Sequence, residues 1–413
     1  MEPLEPILRF PEFKIIDSNS YTKYYFKDIF NFSTGKNIKQ NEASPEFETL
    51  CVRYGELYHM YNEVIDEVIN KTNLNKSELV FSEGNEILLP SAGEDPLDIG
   101  SASALIVKNV AIGRTINILK PINVNIYSQI YVSYYINHKL RKKISTLAKG
   151  SSISNVYNSD LKTLEIILPN LQEQTKIATF LTTIDKKIYL LKQKKSVLEE
   201  YKRGIMQKIF SQEIRFKDEN GNYFKDWVEK SLGEICIKAQ SGGTPKSTNK
   251  KFYNGDIPFL SISDITKQGK YLKDTEKSIS KEGLDNSSSW LVPINSIIYT
   301  MYASVGFVSI NKTPIATSQA VFNLILKEDY DIEFVYYLLV DFKKNIDKYI
   351  TTGTQGNLSA QTVKGFVLNI PSKKEQIKIA NFLSKIDDKI ELVNIQIEDN
   401  IEYKKGIFQK MFI

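Results

Sequence analysis

One block of this sequence occurs twice, and its two copies align without a gap. Residues 169–188 carry Pro169, Glu173, Gln174, Lys176, Ile177, Ala178, Phe180, Leu181, Ile184, Asp185, Lys187 and Ile188. Residues 371–390 carry Pro371, Glu375, Gln376, Lys378, Ile379, Ala380, Phe382, Leu383, Ile386, Asp387, Lys389 and Ile390, each 202 positions on (371 against 169). The blocks close alike, Tyr201-Lys202-Arg203-Gly204-Ile205 matching Tyr403-Lys404-Lys405-Gly406-Ile407. An ungapped repeat of this length means two copies of one unit. The stretches between the copies are similar in length and differ in sequence. The chain is therefore a duplicated frame carrying two inserts.

The repeated blocks are expected to be helices. Apolar residues at Ile177, Leu181, Ile184, Ile188, Leu191, Leu198, Ile205 and Ile209 keep a 4-3-4-3 rhythm. Ile379, Leu383, Ile386, Ile390, Val393, Ile397, Ile407 and Met411 keep the same phase. A seam held for about five heptads favours a coiled coil over an ordinary surface helix. Pro169 and Pro371 stand just ahead, where proline punctuates a helix start. Gly204 and Gly406 either weaken the last turns or allow close backbone approach. Lys195 facing Ile397 in the alignment, and Leu198 facing Asn400, interrupt the symmetry. Asn400 is either a register-fixing seam residue or a plain polar position at the seam's end.

The inserts read as mixed α/β. Strand-like stretches lie at 86–89, 104–107, 257–262 and 296–301, broken by Gly, Ser, Asn and Pro clusters. Each insert ends with a tyrosine-rich amphipathic helix (131–148; 334–350), a glycine loop (149–152; 352–356) and a short strand into the proline. Their openings also correspond, Arg9-Phe10 with Arg215-Phe216. The expected boundaries are a first domain at 1–168, a spacer helix at 169–212, a second domain at 213–370 and a second helix at 371–413.

Several chemistries lack their residues. Gly242-Gly243-Thr244-Pro245-Lys246-Ser247 does not have phosphate-loop spacing, and no G-x-G-x-x-G follows a strand. Cys51 and Cys236 are single, and His59 and His138 are the only histidines, so neither a disulfide framework nor a His-based metal centre is expected. The carboxylates are scattered. Catalysis, a bound cofactor and a metal are all unexpected, as is a membrane span; the chain reads as soluble and cytoplasmic. The net charge of +5 permits a polyanionic partner without demanding one. Only six basic residues are Arg, and lysine suits phosphate better than base edges.

The repeated Pro-x-x-x-Glu-Gln-x-Lys-Ile-Ala-x-Phe-Leu block, its Tyr-Lys-x-Gly-Ile closing and the paired Arg-Phe openings resemble the specificity subunit of type I restriction–modification systems. The resemblance covers essentially the whole chain. It implies an α+β fold: two mixed α/β target-recognition domains joined by two long helices that form an antiparallel coiled coil, with pseudo-twofold duplication. It implies that each domain reads one half of a bipartite, asymmetric site in double-stranded DNA, while the helices fix the spacer and dock two modification subunits. Motor–nuclease restriction subunits would complete the complex. S-adenosylmethionine, ATP and Mg would belong to those partners, which would supply adenine-N6 methylation and ATP-dependent cleavage.

Under that resemblance the polar loops 35–40 and 242–251 have groove-reading chemistry: small residues for approach, amides and ammonium groups for contact. The DNA-binding candidates are Lys36, Asn37, Lys39, Arg53, Arg114, Thr244, Lys246, Ser247, Lys250, Tyr302, Gln319 and Gln355. Tyr299 and Ser151-Ser152 are weighed beside them, and all of these positions also read as plain exposed turns or structural residues. The seam candidates are Ile177, Leu181, Ile184, Ile188, Ile379, Leu383, Ile386 and Ile390. Glu173-Gln174 and Glu375-Gln376 are either capping-box groups or subunit-docking residues. The competing classes are a protein-binding scaffold without DNA affinity and a single-chain methylating nuclease.

Overall fold

The computed structural model describes residues 6–14, 21–302, 304–349 and 357–412. The chain folds into two compact units, Met1–Lys192 with Ile395–Ile413, and Gln193–Asn394. The division cuts both long helices near their middles.

Those helices are Leu171–Phe210 and Lys373–Met411. Asn170 caps the first, its Oδ1 accepting from the Glu173 N–H at 2.9 Å. Within the second unit the helices run antiparallel. Lys195 Nζ donates to Asn394 Oδ1 at 2.6 Å, and seven residues on Lys202 Nζ lies 2.5 Å from Asp387 Oδ1. Within the first unit Lys404 Nζ lies 2.5 Å from Asp185 Oδ1, in the same register.

The insert sequences differ, yet their five-stranded sheets have one topology. The first unit holds a five-stranded sheet in the order Phe30–Thr34, Ile116–Pro121, Glu86–Pro90, Ser103–Leu105, Val64–Ile65. The second holds Cys236–Ser241, Val321–Leu326, Ile297–Thr300, Val308–Asn311, Tyr271–Leu272 in the same order. The central strands Glu86–Pro90 and Ile297–Thr300 are buried throughout, as expected of strands covered on both faces. A second small sheet also recurs. Thr49–Val52 pairs antiparallel with Lys71–Thr72 and parallel with Ala111–Ile112; Tyr253–Leu260 pairs antiparallel with Lys277–Ile279 and parallel with Ile315–Thr317. Two-stranded ribbons, Thr22–Tyr25 with Glu165–Leu168 and Val228–Ser231 with Val367–Ile370, lead into each long helix.

The tyrosine-rich helices begin slightly earlier than their periodicity predicts. The first runs through Gln129–Tyr135, a π-helical turn at Ile136–Leu140, and Arg141–Leu147; the second is Ile332–Phe342 followed by a 3-10 stretch. They bury Tyr131, Tyr134, Phe334 and Tyr337 almost completely.

The seam residues do more than join two helices. Ile177 and Leu181 enter one core with Tyr131, Tyr134, Ile407 and Met411. Ile379, Leu383 and Ile386 enter the other with Phe334, Tyr337, Met206 and Ile209. Ile184 and Ile188 are also buried, and Ile390 is half-buried. The outer parts of the seam are thus domain core as well as coiled coil.

The Glu-Gln readings need correction, and two open alternatives are decided. Glu173, Gln174, Glu375 and Gln376 are at most 1% exposed, so their side chains dock no partner. Arg9 grips Glu173 with two hydrogen bonds of 2.8 Å, and Tyr21 Oη donates at 3.1 Å, so Glu173 does not fold back as a capping box. Arg215 reaches Glu375 at 3.2 and 3.4 Å. Gln174 and Gln376 tie the helix start to the tyrosine helices: their Oε1 atoms accept the N–H of Ser128 and Asp331, the N-cap residues, at 2.8 Å each. Asn400 donates to the Gln396 carbonyl of its own helix at 2.5 Å, so this bond fixes no inter-helix register. Gly204 and Gly406 face open space within 4 Å, which leaves no backbone close to either one in this chain.

Candidate nucleic-acid interface

In each unit a glycine-led loop crosses a turn that follows a parallel strand. Gly35 N–H donates to Ile116 O at 3.1 Å and Lys36 N–H to Ile112 O at 3.0 Å. In the second unit Gly242 N–H donates to Val321 O at 3.3 Å and Gly243 N–H to Thr317 O at 2.9 Å. These bonds align the two loops residue by residue: Gly35 with Gly242, Lys36 with Gly243, Asn37 with Thr244. The glycines are required by space. A Cβ on Gly35 would stand 2.0 Å from Gly113 O, and one on Gly242 would stand 1.9 Å from Thr317 O.

The crossed turns align as well, Arg114 with Gln319. Arg114 N–H donates to Asn37 O at 2.9 Å, while Thr244 Oγ1 donates to Gln319 Oε1 at 2.7 Å. A third loop meets the same place. Gly113 N–H donates to Val52 O at 2.8 Å, which sets Arg53 beside the crossing; its equivalent after Leu260 is Ser261. Both start a tight turn closed by a buried acid: Arg53 N–H donates to Glu56 Oε2 at 3.1 Å and Ser261 N–H to Asp264 Oδ2 at 2.8 Å.

Eleven of the twelve DNA-binding candidates lie among the described residues, and Gln355 lies outside them. Lys36, Asn37, Arg53 and Arg114 come together in the first unit; Thr244 and Gln319 do so in the second. Tyr302, 40% exposed, follows Met301, whose N–H donates to Ala320 O at 2.9 Å beside the crossing. Lys39, Lys246, Ser247 and Lys250 are exposed farther along the loops. Arg53 is less available than its sequence suggests, since its Nε lies 2.8 Å from Glu56 Oε1. Tyr299 is wholly buried against Phe366 and cannot contact a ligand. Ser261 and exposed Tyr54 were missed. Their signal is structural: they follow strands whose pairing partners lie about 60 residues on.

A second polar constellation sits where each tyrosine helix meets the two long helices. In the first unit Tyr134 Oη donates to Asp185 Oδ2 at 2.5 Å, and Lys404 pairs with the same carboxylate. In the second, Tyr337 Oη donates to Asp387 Oδ2, and Lys202 pairs with that carboxylate. Burial and the adjacent carboxylate push both phenols well above the usual tyrosine range. These triads join each tyrosine helix to the two long helices. Burial likewise pushes the Cys51 and Cys236 thiols up to about 12, so neither is a nucleophile near neutral pH.

Two like modules with different loop chemistry, mounted on one shared pair of antiparallel helices, define a modular recognition protein. The chain belongs to the family described as Type I restriction modification DNA specificity domain, which matches residues 19–200 and again 224–403. It is 32% identical over 211 residues to the MjaIX specificity subunit of a type I restriction enzyme from Methanocaldococcus jannaschii. That match covers 49% of this chain and 48%, about half, of the relative. The MjaVIII specificity subunit of the same organism is 27% identical, over 68% of this chain and 69% of its own length. A solved S subunit of a type I restriction–modification system from M. genitalium shares the fold at 18% identity, with a TM-score of 0.62 and 99% of each chain covered. Among the described residues no helix is long and apolar enough to cross a membrane.

Proposed function

We propose that this chain is the DNA-recognition subunit of a type I restriction–modification complex, each unit reading one half of a bipartite, asymmetric site. One observation carries the reading: the two units share sheet order and loop crossings down to single hydrogen bonds, while the residues exposed at the crossings differ. An identical scaffold with different reading residues is what an asymmetric double-stranded target requires, because side chains at base edges specify and phosphate contacts position. The long helices, each about 60 Å at 1.5 Å per residue, set the spacer. Their outer faces, which expose Tyr189, Val197, Leu392 and Tyr403, dock two modification subunits. The domain limits follow as 1–168 and 213–370, with spacer helices at 169–212 and 371–413. The chain itself performs no catalysis; S-adenosylmethionine belongs to the modification subunits, and ATP and Mg to the motor–nuclease subunits.

The test is reconstitution. The purified chain should neither bind S-adenosylmethionine nor methylate DNA alone, and adenine methylation should appear on adding cognate modification subunits, two per chain. DNA affinity should fall steeply with salt as phosphate contacts release counterions. Full activity from a one-to-one complex would contradict the duplicated frame. A salt-insensitive chain without DNA affinity would favour the scaffold alternative.

A further inference from the structure

We infer that Arg114 and Gln319 are the equivalent base-reading residues of the two units, Arg114 selecting guanine and Gln319 selecting adenine. This rests on the DNA-recognition reading above and deepens it. Both residues stand at one geometric point, the turn crossed by the glycine-led loop, and both are exposed. The glycine-led loops are held by equivalent backbone hydrogen bonds in the two units, yet this residue is a guanidinium in one and an amide in the other.

Arg114 differs from most of the chain's arginines. Arg9, Arg53, Arg141 and Arg215 are each paired with a carboxylate, whereas Arg114 has no ion pair among the described residues. Its backbone is held where few residues would stay unaided. Asn37 (φ 51°), Ile38 (φ 57°) and Thr115 (φ 67°) all lie in the left-handed region around it. For branched Ile38 and Thr115 that conformation is costly. The loop is fixed by Arg114 N–H to Asn37 O, by Asn37 Nδ2 to Glu78 O at 2.9 Å, and by burial of Ile38. The side chain is therefore aimed by a rigid base, and its fork has no ion pair among the described residues. A guanidinium fork matches the O6 and N7 acceptors of guanine.

The second unit reaches the same crossing by another route. Pro245 replaces Ile38 at the buried position and avoids left-handed backbone. The Thr244 hydroxyl takes one lone pair of Gln319 Oε1 and so orients the amide. Nε2 remains to donate and Oε1 keeps a lone pair to accept, the pattern that adenine N7 and N6 complement. This unit needs no arginine at its crossing.

The experiment selects DNA from a duplex pool with both half-sites randomised, using the full chain assembled with its modification subunits. Wild type is compared with Arg114→Gln, Arg114→Lys and Gln319→Arg. Arg114→Gln should relax guanine preference at one position of one half-site by about 10- to 100-fold, leaving the other half-site unchanged. Arg114→Lys keeps the charge but loses the fork, so it should relax the same position. Gln319→Arg should move one adenine of the other half-site towards guanine. Motifs unchanged in all three variants would overturn the assignment. So would a uniform affinity loss in Arg114→Gln that Arg114→Lys restores, because that marks a phosphate contact. A wild-type complex with no sequence preference would instead overturn the DNA-recognition reading, and this assignment with it.

Discussion

Glu63 and Lys270 occupy the same position in the two units and carry opposite charges. Each precedes the edge strand of the five-stranded sheet, and each gives its carbonyl to the neighbouring strand, Glu63 O to Ala104 N–H and Lys270 O to Ile310 N–H. Each also reaches the triad of its own unit. Glu63 Oε1 lies 3.5 Å from Lys404 Nζ and 3.6 Å from His138 Nε2, and the His138 ring stacks on Phe408 with centroids 3.4 Å apart. Lys270 Nζ lies 3.5 Å from Asp387 Oδ2 and 2.7 Å from Glu333 Oε2, and the Tyr337 hydroxyl is 2.7 Å away. The triad of tyrosine, aspartate and lysine is common property; the fourth charge is not. Equivalent backbone therefore tolerates inverted electrostatics provided that each new charge finds its counterpart locally, and the two joints should fail under different conditions.

The largest difference is expected at the helix starts. Glu173 neutralises Arg9 with both side chains at most 4% exposed. Glu375 shares Arg215 with Asp226 and with the carbonyls of Phe224 and Lys225. Removing one partner of a buried pair costs about 3–5 kcal/mol. Glu173→Ala should approach that loss, while Glu375→Ala should cost distinctly less because the Arg215 side chain is 15% exposed against 4% for Arg9, so water can solvate the charge left behind. Denaturant unfolding of both variants decides it; equal losses would erase the distinction between the two frames.

Acid should separate the joints next. Burial pushes the Glu63 carboxyl up, but the His138 hydrogen bond and the Lys404 charge outweigh it and bring it down to about 2. A folded value below the ordinary carboxylate range means stabilisation that is present above about pH 5 and lost as pH falls towards 2. The gap is on the order of 3 kcal/mol at 1.36 kcal/mol per unit. Glu63→Gln should flatten that part of the acid limb, read by amide exchange in the first unit between pH 6 and 3. Lys270 has no carboxyl to protonate, so Lys270→Gln should leave the first unit's acid limb unchanged. An unaltered acid limb in Glu63→Gln would refute the assigned role.

The triads themselves carry a smaller term. Tyr134→Phe removes one hydrogen bond to a charged acceptor, worth about 1.5–3 kcal/mol. In the second unit Lys270 and Lys202 both remain near Asp387 after Tyr337→Phe. The Tyr337 hydroxyl, however, also meets Lys270 Nζ at 2.7 Å and Ser384 Oγ at 3.2 Å, so the second substitution removes more and should be the costlier, by denaturant midpoint. The reverse order would show that Lys270 and Lys202 hold Asp387 without the phenol.

The frame was readable because it is local and repeated: helix period, proline punctuation and the Arg-Phe openings all lie within short windows. Asp185 with Asp387 and Lys202 with Lys404 were visible as repeated residues, but their meeting depends on antiparallel register, which no single window contains. The buried Glu173 misled for a similar reason. A charged residue in a helix's first turn ordinarily caps or faces water, and Arg9, 164 positions away, together with Tyr21 makes burial tolerable. Gly35 and Gly242 were read as small residues for approach to a groove, whereas the close approach in the structure is to the chain's own turns. What they approach, the turns at 113–115 and 318–320, lies across the sheet and roughly 75 residues on. The alignment spacing there differs from that of the helices, so the equivalence of Arg114 with Gln319 emerges only from hydrogen bonds.

The smallest effect serves as the control for the others. Gly204 and Gly406 lie inside regular helix, and an added Cβ would meet nothing within 4 Å. Glycine there costs about 0.5–1 kcal/mol relative to alanine through backbone entropy, with no close approach in this chain to offset it. Gly204→Ala and Gly406→Ala should each raise stability by about that amount, and by the same amount, because the two positions are equivalent and neither touches a triad or a glycine-led loop. Denaturant midpoints of the isolated chain measure this directly. Methylation by the proposed complex adds a second readout. If stability rises while activity falls, the bare backbone is where a partner helix comes close, and the glycines recur for docking. Unequal stability gains would show instead that the asymmetry of the two units extends into the helices themselves.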